Sequence, residues 1–166
     1  MTPTTRNRRK KLPYFERREG TPAPLTICIK RRVLFGDADP MGILWHGRYA
    51  AFFEAAAVEL HRACGLGYDK YHEAALRAPI AQLHIDYLVP VFYDEEVMIQ
   101  ASIIWNDAAR VDTEFAISKV DGRAVARGYT IQLFTDAETG EALLASPEML
   151  CNCRAKWLSG ELSHLQ

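Results

Sequence analysis

The chain has almost no charge imbalance. Twenty basic residues oppose twenty-one acidic ones, for a formal net charge of −1 at pH 7, so no overall field draws it to nucleic acid or an anionic membrane. Long apolar runs are missing too. None approaches the roughly 20 residues that span a bilayer, and the basic N-terminus has no apolar segment behind it to make a secretory signal. Cysteine is scarce. Cys28, Cys64, Cys151 and Cys153 include no Cys-x-x-Cys pair, and on a helix Cys151 and Cys153 would point different ways. No metal site is therefore expected, and four reduced thiols suit a cytoplasmic protein. There is no internal repeat and no low-complexity segment.

What is present fits one domain. At 166 residues, 49% of them apolar and 25% charged, the chain can bury a real core but has no room for two comfortable domains. Residues 1–24 hold Pro3, Pro13, Pro22 and Pro24 among charged and small side chains, with Arg6, Arg8, Arg9, Lys10, Lys11, Arg17 and Arg18 crowded together. They are predicted to form a flexible basic extension rather than a binding arm. The domain is expected over 25–160.

Alternation of apolar and polar residues predicts a first strand through Ile27, Ile29, Val33 and Phe35, with Arg31 breaking its apolar face. From about Gly47 to Cys64 the period becomes helical. Tyr49, Phe53, Ala56, Leu60 and Ala63 share one face, and Ala51, Phe52, Ala55 and Val58 keep the other side apolar. A helix that is apolar nearly all round belongs inside a domain. Gly65 and Gly67 end it. After a less patterned segment with Tyr68, Tyr71 and His72 come strands through Leu83, Ile85 and Tyr87, through Val97, Ile99, Ala101 and Ile103, and through Val111, Thr113, Phe115 and Ile117. Asp121-Gly122 marks a tight hairpin whose return strand runs to about Thr135. Ser146-Pro147 reads as a cap opening a terminal helix to about Trp157. The order is strand, buried helix, four strands, helix. It suits an α+β fold in which a curved antiparallel sheet wraps one central helix.

The segment from Phe35 to Tyr49, FGDADPMGILWHGRY, carries the chemistry. Asp37 and Asp39 stand at a strand end before a proline. Gly42 permits a backbone geometry that side-chained residues resist, and a helix N-terminus with unpaired N–H groups follows at about His46. Thioester hydrolysis needs little more. Backbone donors can hold an oxyanion, and a carboxylate can attack the carbonyl or take a proton from water.

Asp37, Asp39, Gly42, Ile43, Leu44, Trp45, His46 and Tyr49 together resemble the active-site motif of the hotdog-fold 4-hydroxybenzoyl-CoA thioesterase family and its Tol-Pal-associated relatives, and the likeness continues through Phe52-Phe53-Glu54. The resemblance implies the hotdog fold, acyl-CoA thioesterase activity without a cofactor, Asp39 as the catalytic carboxylate, and the His46 backbone N–H as the carbonyl's donor. The ring of His46 is open between acid–base work and positioning. Gly42, Trp45, Gly47, Tyr49 and Glu54 are expected about the substrate. Asp37 reads as structural. Where the aromatic-thioester branch carries a basic cluster, this chain has Asn106-Asp107-Ala108-Ala109-Arg110. Arg110 is therefore the candidate for the CoA phosphates, with Lys119, Arg123 and Arg127 as other donors, and an acyl carrier protein is an alternative carrier. The resemblance also implies a homodimer or a dimer of dimers, with active sites at the subunit interface. A hotdog hydratase or dehydratase and a non-catalytic acyl-CoA-binding protein are the competing readings.

Overall fold

The structure, a computed structural model, describes residues 13–166; Pro3 and the cluster from Arg6 to Lys11 lie outside the described residues. The elements run in the order β1 (Leu25–Arg32), α1 (Tyr49–Ala63), α2 (Tyr68–Glu73), β2 (Leu76–Arg77), β3 (Ile80–Tyr87), β4 (Glu96–Ile104), β5 (Arg110–Lys119), β6 (Ala124–Leu133), β7 (Thr135–Asp136) and α3 (Glu148–Ser159). Five strands form one sheet in the order β1-β4-β5-β6-β3, every neighbouring pair antiparallel. The short β2 and β7 pair separately. This is the α+β hotdog arrangement expected from the strand and helix order.

Alternation along the strands builds the core. Val97, Ile99, Ala101 and Ile103 of β4 and Val111, Phe115 and Ile117 of β5 are all buried, as period-two patterning requires of a sheet with one face inward. Against that face α1 buries Tyr49, Phe52, Phe53, Ala56, Leu60 and His61. Phe53 stacks on Phe115, ring centroids 4.4 Å apart and planes within 7°. The helix can come this close because β6 carries Gly128 opposite Phe115. A Cβ at Gly128 would lie 2.7 Å from the Phe53 ring and overlap the His84 carbonyl oxygen.

Several details differ from the sequence expectation. β1 ends at Arg32 and Phe35 is 85% exposed, because the chain turns in a single 3-10 turn over Phe35–Asp37 instead of continuing the strand. Phe52 is fully buried while Ala63 is exposed; the guanidinium of Arg31 covers the Phe52 ring at 4.5 Å. Ser146 does not cap α3. Pro147 holds that position, and the Ser146 hydroxyl takes a hydrogen bond from Arg154 instead. The Asp121-Gly122 hairpin forms as expected, with Gly122 at φ +85° and the Gly122 N–H donating to the Lys119 carbonyl.

From Pro13 onward the N-terminal segment is not free, although its composition suggested an unpacked extension as far as residue 24. The Tyr14 hydroxyl donates to Asp86, the Phe15 N–H to Glu114, and Arg17 pairs with Glu114 at 2.7 Å. Tyr14 and Phe15 lie against Tyr129, and His84 stacks on the same ring. Aromatic residues scattered through a polar segment find partners on the sheet's outer face, which the segment's own composition cannot reveal.

Two outcomes follow from this packing. Gly128→Ala should lower stability by about 1–3 kcal/mol, the usual cost of overfilling a packed core, read as a lower urea midpoint; an unchanged midpoint would mean that α1 can retreat freely. His61 is buried, and burial drives its pKa down to about 4, below the ordinary value near 6.5. The unfolded chain therefore takes up this proton at a higher pH than the folded one. His61's contribution is whole above pH 6.5 and is lost as pH falls from about 6.5 to 4, by about 3 kcal/mol in all. Stability curves of the native chain and His61→Gln should diverge in that window, the variant being the less acid-sensitive.

Candidate active site

The loop between β1 and α1 is closed by Asp37. Its buried carboxylate accepts the Leu34 N–H at 3.1 Å and pairs with Arg48 Nε at 3.1 Å, while its carbonyl accepts the Trp45 N–H at 2.9 Å. Both ends of the loop are thus tied to one residue, and the helix start is fixed against the strand end. These bonds make Asp37 a brace for the loop.

Asp39 sits inside the loop so braced. One carboxylate oxygen, Oδ1, accepts the N–H groups of Met41 at 2.8 Å and Ile43 at 3.3 Å. The Asp39 N–H donates to the Ile43 carbonyl and its carbonyl accepts the Gly42 N–H. Gly42 is at φ +76°, a conformation that costs glycine little and other residues more. The second carboxylate oxygen, Oδ2, accepts no hydrogen bond among the described residues. The carboxylate is therefore oriented by one oxygen and available through the other.

Asp39 opens on a cleft of about 360 Å3 whose walls include Met41, Leu44, His46, Tyr49, Tyr87 and Leu88. His46 begins a single 3-10 turn, His46–Arg48, that runs into α1. The backbone N–H groups of His46 and Gly47 meet no acceptor among the described residues, and His46 itself lines the cleft, so an unpaired donor stands there at the positive end of the helix. The Tyr87 hydroxyl donates to the His46 carbonyl at 3.0 Å, anchoring that turn to β3. The Tyr49 ring meets Tyr87 edge-on, centroids 4.9 Å apart. Burial, and less so the neighbouring Tyr87, raise the Tyr49 hydroxyl's pKa, so it remains a neutral phenol.

Of the residues singled out in the sequence, the structure brings Asp39, His46 and Tyr49 into this one cleft, with Gly42 shaping the loop. Trp45 is 47% exposed and its ring lies beside that of His46, centroids 5.2 Å apart. It is seated over Gly47, where a Cβ would come within 2.5 Å of the indole. Glu54 is elsewhere: it is exposed on α1 and accepts the Tyr68 hydroxyl at 3.5 Å. Arg110 is also not brought to the cleft. The cleft adjoins the hairpin end of the sheet, where Leu88 and Val89 donate to the Val125 carbonyl, and Arg110 starts β5 at the other end, roughly 20 Å along the strand. There it pairs with Asp112 at 2.9 Å, a carboxylate whose pKa burial raises although Arg110 opposes the shift. Lys119 is engaged by Glu95 and Arg123 by Asp121. Tyr87 was missed as a site residue. In the sequence it is only the last aromatic of an alternating strand, and its partner His46 is 41 residues away.

Among the described residues no group of His, Cys, Asp or Glu side chains is arranged to hold a metal ion, and no helix is long and apolar enough to cross a membrane.

Residues 33–152 match the sequence profile of the Thioesterase-like superfamily. The 4-hydroxybenzoyl-CoA thioesterase of Pseudomonas sp. (strain CBS-3) is 27% identical over 81 residues, 47% of this chain and 57% of the relative. The chain matches only about half the length of each of the curated relatives, 51–57%. Among solved structures, the DHNA-CoA thioesterase of Staphylococcus aureus superposes with a TM-score of 0.73 at 18% identity, over 84% of this chain and 95% of that one. A further Staphylococcus aureus protein, solved in complex with CoA, gives 0.72 at 16% identity over 83% and 85%. At these identities the structural likeness establishes the fold, and the profile match establishes the family: the chain belongs to the Thioesterase-like superfamily.

Proposed function

We propose that the protein hydrolyses an acyl- or aroyl-CoA thioester to the free acid and CoA. The observation that carries this reading is the pairing of a half-satisfied carboxylate with an unpaired helix-start amide in one cleft. Asp39 has one oxygen pinned by two backbone N–H groups and the other open, and His46, whose N–H meets no acceptor among the described residues, lines the same cleft. A thioester carbonyl lying between them would receive a hydrogen bond as negative charge develops on its oxygen. Asp39 would attack the carbonyl carbon, or take a proton from the water that does. The C–S bond then breaks, the thiolate leaves as CoA, and the elements of water complete the acid. The His46 ring, against Trp45, positions the turn. The resemblance of the motif to CoA-thioester hydrolases and the CoA-bound structural neighbour favour CoA as the carrier.

Hotdog hydratases usually place a catalytic His with a carboxylate on the helix, and neither carboxylate of α1 lines this cleft: Glu54 accepts the Tyr68 hydroxyl and Glu59 pairs with Arg62. A free-thiol release assay over a panel of acyl- and aroyl-CoAs should detect hydrolysis, and Asp39→Asn should reduce kcat by at least roughly a hundredfold. Full activity in this variant would remove Asp39 from the mechanism. Consumption of an enoyl-CoA double bond without thiol release would favour the hydratase instead.

The working unit we infer is a homodimer joined along β3, which could associate further as a dimer of dimers. β3 is an edge of the sheet, and it leaves Ile80, Leu83 and Tyr87 exposed at 57%, 46% and 52%. A long apolar edge strand invites pairing with another chain. Tyr87 also holds the His46 turn, so a partner strand on this edge would cover the open side of the cleft. Leu83→Asp should give a monomer by light scattering and lose most thiol-releasing activity. A dimer of native mass in that variant would place the interface elsewhere.

A further inference from the structure

A second cavity, of about 320 Å3, opens at the other end of α1, bordered by His61, Tyr68, Tyr71, Leu76, Arg77 and Gln132. His61 lies twelve residues beyond Tyr49, roughly 18 Å along the helix, so within one protomer the cavity is separate from the Asp39 cleft. Its depth has an unsatisfied chemistry. His61 and Tyr71 are 8% and 7% exposed, and among the described residues neither His61 Nε2 nor the Tyr71 hydroxyl has a hydrogen-bond partner, not even each other. Leaving a buried polar atom unpaired costs on the order of 1–3 kcal/mol, so two such atoms in the wall of one cavity mark a place for something that hydrogen-bonds.

The walls and the mouth narrow the choice. Tyr71 lies flat on Phe134, ring centroids 5.5 Å apart and planes within 16°, which holds its hydroxyl in a fixed direction. Leu76 and the Tyr68 ring supply apolar contact for a compact carbon skeleton. Arg77 is exposed and makes no ion pair among the described residues, although its charge helps lower the pKa of Asp136 on the paired β7. Gln132 donates its amide N–H to the Ala78 carbonyl at 3.0 Å, leaving its amide oxygen as an acceptor. We propose that this cavity binds a small hydroxylated carboxylic acid, its hydroxyl inward on His61 and Tyr71 and its carboxylate outward on Arg77.

The protonation state of the inner end agrees with that orientation. Burial keeps His61 neutral at pH 7, with a pKa of about 4, and burial pushes the Tyr71 phenol well above its usual value. The depth therefore offers a neutral acceptor and a neutral donor, which suit a hydroxyl. An anion there would find no compensating charge. The only cation lining the cavity that is always charged is Arg77, at the mouth.

The test is calorimetric titration of the full chain with 4-hydroxyphenylacetate, alongside phenylacetate, which lacks the hydroxyl, and 2-(4-hydroxyphenyl)ethanol, which lacks the carboxylate. The first should bind about five- to tenfold more tightly than either comparator, the scale of one net hydrogen bond. Tyr71→Phe keeps the ring on Phe134, and should remove the preference for the hydroxyl while leaving phenylacetate affinity unchanged. Arg77→Met should remove the preference for the carboxylate. Saturable binding with both selective losses supports the site. No saturable binding by any of the three probes, as expected if the cavity holds only water, overturns it. So does a hydroxyl preference that survives in both Tyr71→Phe and His61→Gln, or displacement of the probe by saturating CoA, which would put the probe in the Asp39 cleft. None of these readouts uses hydrolysis, so they stand or fall apart from the thioesterase reading.

Discussion

The close approach of α1 to the sheet depends on one missing side chain. With no Cβ at Gly128, the Phe53 ring can lie against β6 and stack on Phe115, and the helix settles into the curve of the sheet. Everything built on the two ends of α1 takes its position from this contact. The N-terminal end carries the His46 turn and its unpaired amides; the C-terminal end carries His61. If the helix moved outward, the donors at one end and the buried imidazole at the other would move with it. Tight packing resists such a shift because each displaced contact loses dispersion energy that nothing replaces.

The two ends use the same physics differently. At the start of α1 the backbone supplies unsatisfied donors, as every helix does, and the loop brings a carboxylate beside them. Asp37 and Arg48 make that geometry stiff by closing the loop on itself. At the far end, unsatisfied groups belong to side chains and arise from burial, in His61 and Tyr71. One end gathers groups suited to charge that develops during a reaction. The other gathers neutral groups suited to recognition.

Local pattern made much of this legible. The alternation in β4 and β5 and the helical period from Tyr49 to Leu60 announced the buried faces, since burial follows directly from spacing when one face points inward. The compact motif from Asp37 to Tyr49 was legible for a similar reason: Asp39, Gly42 and His46 lie within eight residues, and the hydrogen bonds of Asp39 all run to residues no more than four positions away. Arg110 reads in sequence as an isolated cation. In the fold it belongs to Asp112, which sits two positions along the same strand and whose charge becomes costly once the fold buries it. The N-terminal segment looked free because its polar composition says nothing of Tyr129 and Glu114, which receive it from about a hundred residues away.

Sequence alone determined the five long strands, the buried α1, the terminal α3 and the loop that presents Asp39, because each depends on residues a few positions apart. Only the tertiary structure decided that Tyr87 holds the His46 turn, that Arg110 stands far from the cleft, and that His61 and Tyr71 share a cavity. Those relations join side chains on separate elements. Their distances follow from how a helix and a twisted sheet pack together, and no spacing along the chain encodes that.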